Sequence, residues 1–267
     1  MSDDDTAQHR LIAPVVAWLA ADAQPLGPPR TDFARFRSHL RPADVVLVEG
    51  RSRVSAVIQS VTLSAWTHAA LCVGRLDELE HSRHAHTAAS KLRAAGVDGR
   101  SMIVLEAELG RGVHLSPIER YADEHLRLCR PRELDDADAG RIVGFAVEHL
   151  GMPYNVRQIA DLLRFFFPYG LLPRHWRSSL FEAGHGEMTR AICSTLIARA
   201  FASVRYPILP TIHRSDNGEM VFRRRNARLI TPKDFDHSPY FEIVKYPFFG
   251  DDVARYRELN WQGDTRP

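Results

Sequence analysis

Five short apolar runs separated by turn residues constrain this chain more than any other feature of its sequence. Val45-Val46-Leu47-Val48 is largely β-branched and too short for a helix, the composition of a buried strand. Residues 64–74, with His68 near the beginning, 101–107, 113–115 and 126–130 follow it. Gly110-Arg111-Gly112 is a turn between the third and fourth, so successive strands run back on one another. Such a β-meander implies an antiparallel sheet. Helical spacing over residues 54–63, 135–150 and 191–201 makes the class α+β.

Boundary residues place the rest. Thr31-Asp32 caps a short helix to Leu40, and Arg41-Pro42-Ala43-Asp44 turns into the first strand. Residues 77–100 are polar and read as an insertion or long loop. Ser116-Pro117-Ile118-Glu119 reads as a helix start with proline just inside the cap. The 135–150 helix gathers Ile142, Phe145, Ala146 and His149 on one side; Gly151 suits a left-handed C-cap, and Pro153 prevents continuation. Residues 159–167 are again helical in period and run into an aromatic stretch, 165–173, read as core packing, with a groove wall or a lipid contact as alternatives. Residues 182–189 form a polar loop, 223–225 a solvated basic edge, 231–235 a helix or turn start, and 240–246 a last strand. Residues 11–21 have helical spacing and end before the breaker cluster Gln24-Pro25-Leu26-Gly27-Pro28-Pro29. The expected organisation is a helix and linker over 1–30, a main domain over 31–250, and a tail over 251–267.

Composition excludes little but directs attention. Lys plus Arg number 35 against 33 acids, so the net charge of +2 gives no footprint for nucleic acid. Three cysteines with no C-x-x-C pair argue against a disulfide framework and a cysteine-rich zinc site. The acidic start, Ser2-Asp3-Asp4-Asp5, is unlike a signal peptide, and no run reaches the roughly 18 apolar residues that span a bilayer. The expectation is a cytoplasmic protein with no transmembrane segment, able at most to touch a membrane peripherally. His81, His84 and His86 lie close together without a companion acid or cysteine cluster, so they read as a solvated loop, with no metal or other cofactor expected.

Cys193 stands in the first turn of a helix whose apolar face is Ile192, Leu196, Ile197 and Ala200. Free N–H groups and the helix dipole there favour the thiolate, the nucleophilic form, although a free cysteine is ordinarily a small buried hydrophobe. The surrounding motifs decide between the two. Asp44-Val45-Val46 resembles a G-D-hydrophobic strand opening with Ala43 for glycine, and Thr67-His68-Ala69-Ala70-Leu71 resembles an S-H-V-G-hydrophobic strand. Val104-Leu105-Glu106-Ala107, then Gly112-Val113, resembles I-E-A and a G-V pair. Gly151-Met152-Pro153-Tyr154-Asn155 resembles G-x-P-Y-D, Ile192-Cys193-Ser194-Thr195-Leu196-Ile197 resembles Y-C-S-E-L-V, and Thr231-Pro232-Lys233-Asp234-Phe235 resembles T-P-x-D-hydrophobic.

In that order, from about Asp44 to about Phe235, the chain resembles the circularly permuted papain-like enzymes of the NlpC/P60 superfamily, in particular the YiiX/YebB-like group. The resemblance implies an antiparallel sheet or partial barrel packed against helices, with the catalytic cysteine at a helix N-terminus. It also implies Cys193 as nucleophile, His68 as base and Glu106 as the residue that orients His68. Tyr154, Asn155 and Ser194 become candidate oxyanion or substrate-binding residues. The implied activity is a thiol hydrolase of amidase or peptidase type acting on a small-molecule or peptide-like substrate. Lipid acyl hydrolysis or acyl transfer on the same fold is one alternative, and a non-catalytic binding module is another.

Overall fold

The computed structural model describes residues 18, 21–22, 31–108, 111–153, 192–214 and 219–244. Tyr154, Asn155, the 159–167 helix, the 165–173 aromatic run, the 182–189 loop and the 251–267 tail lie outside the described residues, as does all of 1–30 except Trp18, Ala21 and Asp22.

Helix α1 (Phe33–His39) begins as its cap requires: Asp32 accepts from the Arg35 N–H at 3.2 Å. Strand β1 (Val45–Glu49) follows, then helix α2 (Arg53–Thr62), capped by Ser52, then β2 (His68–Arg75). β3 (Met102–Glu108), β4 (Gly112–Pro117) and β5 (His125–Pro131) continue the sheet. Its far edge is β8 (Phe241–Val244), giving the order β4-β3-β2-β1-β5-β8 with every pairing antiparallel. The antiparallel pairing is the one the apolar runs imply.

Period-two alternation splits the sheet's side chains between two layers. Val45, Leu47, Ala69, Leu71 and Leu105 pack with helices α5 (Asp136–Glu148) and α6 (Ile192–Ser203) through Ile142, Leu196, Ile197 and Phe201. Val46, Val48, Ala70, Cys72 and Val104 face the other way, against Phe36 of α1 and against Ile118 and Tyr121. Asp44 pins the layers' common base: it is buried, takes both Arg130 nitrogens at 3.0 and 2.8 Å, and accepts from Arg41 N at 2.8 Å.

Three local expectations are corrected. Residues 77–100 are not an open loop but hold helices α3 (Leu76–Leu79) and α4 (His86–Ala94). Their buried face is Leu76, Leu79, Ala85 and Ala89, and alanine at that spacing gives little contrast against polar neighbours. His81 and His86 each donate Nδ1–H to a backbone carbonyl within this segment. Pro117 does not open a helix from inside its cap; β4 runs through it, and a 3₁₀ turn, Ile118–Tyr121, begins after it. A hairpin of β6 (Thr211–Arg214) and β7 (Met220–Arg223) stands where no strand is expected. Of the basic run, Arg225 pairs with Asp234 at 3.1 Å, in the first turn of helix α7 (Pro232–His237).

The end of α5 returns to the sheet. Gly151 takes the predicted left-handed conformation (φ 80°), Gly151 N–H donates to Val113 O, and Val113 N–H donates to Met152 O. The G-V and G-x-P motifs, forty residues apart in sequence, thereby meet. Among the described residues, no helix is long and apolar enough to cross a membrane.

Candidate active site

His68 is the first residue of β2 and pairs with Val48 of β1. Glu106 lies inside β3, opposite His114 of β4, and its side chain is fully buried. The two meet across adjacent strands: His68 Nε2 and Glu106 Oε2 are 2.8 Å apart. With Nε2 so held, Nδ1 is the ring atom left for the hydrogen bond His68 makes with Cys193. The cysteine arrives over the opposite layer from the carboxylate, on the first turn of α6, 6% exposed. Cys193, His68 and Glu106 thus form one continuous chain of contacts.

The electrostatics follow from the contacts. Burial pushes the Cys193 thiol up, but the His68 charge and hydrogen bond, with the backbone N–H groups of Ala69 and Ser194, override it and hold the thiol below its ordinary value. Burial likewise disfavours the His68 cation, yet Cys193 and Glu106 together raise it well above the ordinary imidazole range. Both shifts favour the thiolate and imidazolium over the neutral pair. Glu106 keeps its charge despite burial, which alone would raise it, because His114, His68 and Ser116 surround the carboxylate and lower it.

Other groups in this network escape sequence reading. Tyr121 donates its hydroxyl to Glu106 Oε2. Arg120 donates from Nη1 to Glu106 Oε1 at 3.1 Å and to Glu108 Oε2 at 3.0 Å, and from Nη2 to Glu108 Oε1 at 2.6 Å. His114 Nε2 sits between the two carboxylates, 3.4 Å from Glu106 and 3.5 Å from Glu108, too long for well-formed hydrogen bonds, while Nδ1–H donates to Gly112 O. The one sequence signal was Glu106-Ala107-Glu108, two acids on one strand face; nothing in Glu119-Arg120-Tyr121 announces a partner. His68, Glu106 and Glu108 place donor atoms within 4.8 Å of one another, the spacing of a metal cluster. Arg120 already bonds both carboxylates, so the positive charge this cluster needs is supplied by the guanidinium.

Ser194 is buried and donates its hydroxyl to Ile230 O at 2.7 Å, while its backbone N–H, with that of Ala69, hydrogen-bonds the Cys193 sulfur. A cleft of about 380 Å³ opens on His68 and Cys193. Arg51, Glu108, Arg111 and Glu124 line it together with Val54 and Ile58 of α2.

Residues 39–163 match the model of a family described as permuted papain-like amidase enzymes, YaeF/YiiX, C92 family. His68 and Glu106 fall inside the match and Cys193 beyond its end. The family description names the permuted papain-like group that the motifs indicate, without the NlpC/P60 label. The crystal structure of the metalloprotein yiiX from Escherichia coli O157:H7 is similar at 14% identity and a TM-score of 0.44, covering 77% of this chain and 96% of that one. No curated protein matches the chain. The permuted papain-like family is one of amidases by its description, in keeping with a cysteine, an imidazole and a carboxylate in contact.

Proposed function

We propose that the protein is a cysteine amidase whose nucleophile is Cys193, with His68 as base and Glu106 as the residue that orients it. The observation that carries this is the Cys193–His68–Glu106 contact chain with the thiol held below its ordinary value. The Cys193 thiolate attacks the amide carbonyl carbon and the carbonyl electrons move to oxygen. Backbone N–H groups of the first turn of α6, which have no partner inside the helix, stabilise that oxyanion. The C–N bond then breaks as His68 gives its proton to the leaving nitrogen, leaving a thioester on Cys193. Water enters, His68 takes one of its protons, the hydroxide attacks the thioester, and the acid leaves as the thiolate re-forms. Tyr154, two residues beyond the hydrogen-bonded Met152, is the candidate second oxyanion donor on the strength of its motif.

The charged lining of the cleft supports a peptide-like or amino-acid acyl group over a lipid chain, since an acyl chain favours an apolar tunnel. Residues 31–250 are read as the catalytic unit. An electrophilic amide or thioester probe tests both points. The wild type should form a covalent adduct at neutral pH that Cys193→Ala does not; identical behaviour of the two would overturn the nucleophile assignment. The mass of a trapped acyl-enzyme reports the substrate, and a fatty-acyl mass would replace the amidase reading with lipid acyl transfer.

A further inference from the structure

We propose that the 3₁₀ turn Ile118–Tyr121 is a clamp for the orienting carboxylate, with Arg120 and Tyr121 as positioning residues that keep Glu106 aimed at His68. This rests on the reading of Cys193, His68 and Glu106 as a catalytic relay. Two consecutive residues of one turn reach the two oxygens of one carboxylate: Tyr121 donates to Oε2, which also meets His68, and Arg120 donates to Oε1 at 3.1 Å. Rotation of the carboxylate away from His68 therefore breaks hydrogen bonds at both oxygens. The turn is itself fixed. Ile118 is fully buried with Val104 and Cys72, and Arg120 makes two further bonds to Glu108, two residues along β3 on the same face. The Tyr121 ring lies 6.3 Å from the His68 ring and 5.7 Å from the Arg120 guanidinium.

The clamp answers a specific cost. A buried carboxylate with no compensating charge takes up a proton, and a neutral Glu106 would give the imidazolium no ionic support. The groups facing Glu106 are His68 from β2, Glu108 from its own strand, His114 and Ser116 from β4, and Arg120 and Tyr121 from the turn, with Cys193 one contact beyond His68. Of these, only Arg120 carries a positive charge that does not titrate. It also lines the cleft, so the residue that holds the relay in place lies at the wall a substrate passes.

The test needs no substrate. Iodoacetamide labelling of Cys193, followed by mass spectrometry of its peptide across a pH series, reports the thiolate directly. In Arg120→Gln the labelling curve should move to higher pH by up to about one unit, the part of the effect of losing an opposite charge beside Glu106 that His68 passes on to the sulfur, and Arg120→Lys should recover part of the displacement. A residue that merely supports the fold would lower the melting temperature and leave the curve where it is, and superposition of the Arg120→Gln and wild-type curves would overturn the proposal. If Arg120→Gln does not fold, Tyr121→Phe, which deletes one oxygen, carries the same test with a smaller upward displacement expected and superposition again overturning it. A wild-type Cys193 that labels no faster than a denatured thiol would instead sink the nucleophile reading itself.

Discussion

Cys72, Cys129 and Cys193 are all buried, yet their thiols are driven in opposite directions. Burial pushes Cys72 and Cys129 up to about 12, with the nearby acids Asp44 and Glu78 or Asp236 adding to it. At Cys193 an imidazole and two backbone N–H groups reverse the sign. Iodoacetamide at neutral pH should therefore label Cys193 in the folded protein and spare the other two, as peptide mass spectrometry will show. His68→Ala removes the influence that opposes burial, so labelling of Cys193 at neutral pH should fall on the order of tenfold or more. In the proposed mechanism, turnover requires the thiolate and the imidazolium together. It should rise through the lowered Cys193 value and fall as pH climbs through the raised His68 value, whereas alkylation should rise and stay high. Glu106→Gln preserves shape and removes the charge that supports the imidazolium; kcat should drop on the order of a thousandfold.

At the scale of elements, the caps were legible and the compositionally disguised helices were not. Asp32, Gly151 and the Thr231/Asp234 capping box mark their helix ends because each satisfies a backbone group that a specific residue type satisfies best. Helix α4 escaped because Ala85, at its N-cap, and Ala89 carry its buried face, and alanine is as common on a surface as in a core, while α3 is a single turn, too short for a periodic pattern. The β6–β7 hairpin escaped because Ile212, Met220 and Phe222 lie more than half exposed, so burial patterning does not mark them. Gly112 shows a motif glycine with a physical reason: its φ is +70°, and a Cβ there would stand 2.3 Å from Met152 O. Gly112→Ala should cost about 1–3 kcal/mol in a denaturant titration by combining left-handed strain with that clash. It should also loosen the junction between β4 and the end of α5, read as faster exchange of the Val113 amide.

For the whole molecule, strand order was the part the sequence could least supply. The meander of β1 to β4 is local, but β8 closes the far edge against β5 after more than a hundred intervening residues, a pairing with no local signature. Phe241 anchors that closure, its ring edge-on to Phe201, Tyr206 and Phe235, and Phe241→Ala should destabilise the fold by about 3 kcal/mol or more in thermal or chemical unfolding. His68, Glu106 and Cys193 were legible because each sits in a short motif; Arg120 and Tyr121 were not, because what they touch is set by tertiary placement alone. The site straddles the sheet, with the sulfur delivered from the helical layer and the carboxylate's support from the opposite one. Neither layer alone makes a reactive thiol. On the proposed reading, a partly assembled chain carries an ordinary cysteine, and the thiol becomes a nucleophile only once both layers have closed around β2. Labelling of Cys193 would then report that both layers are in place.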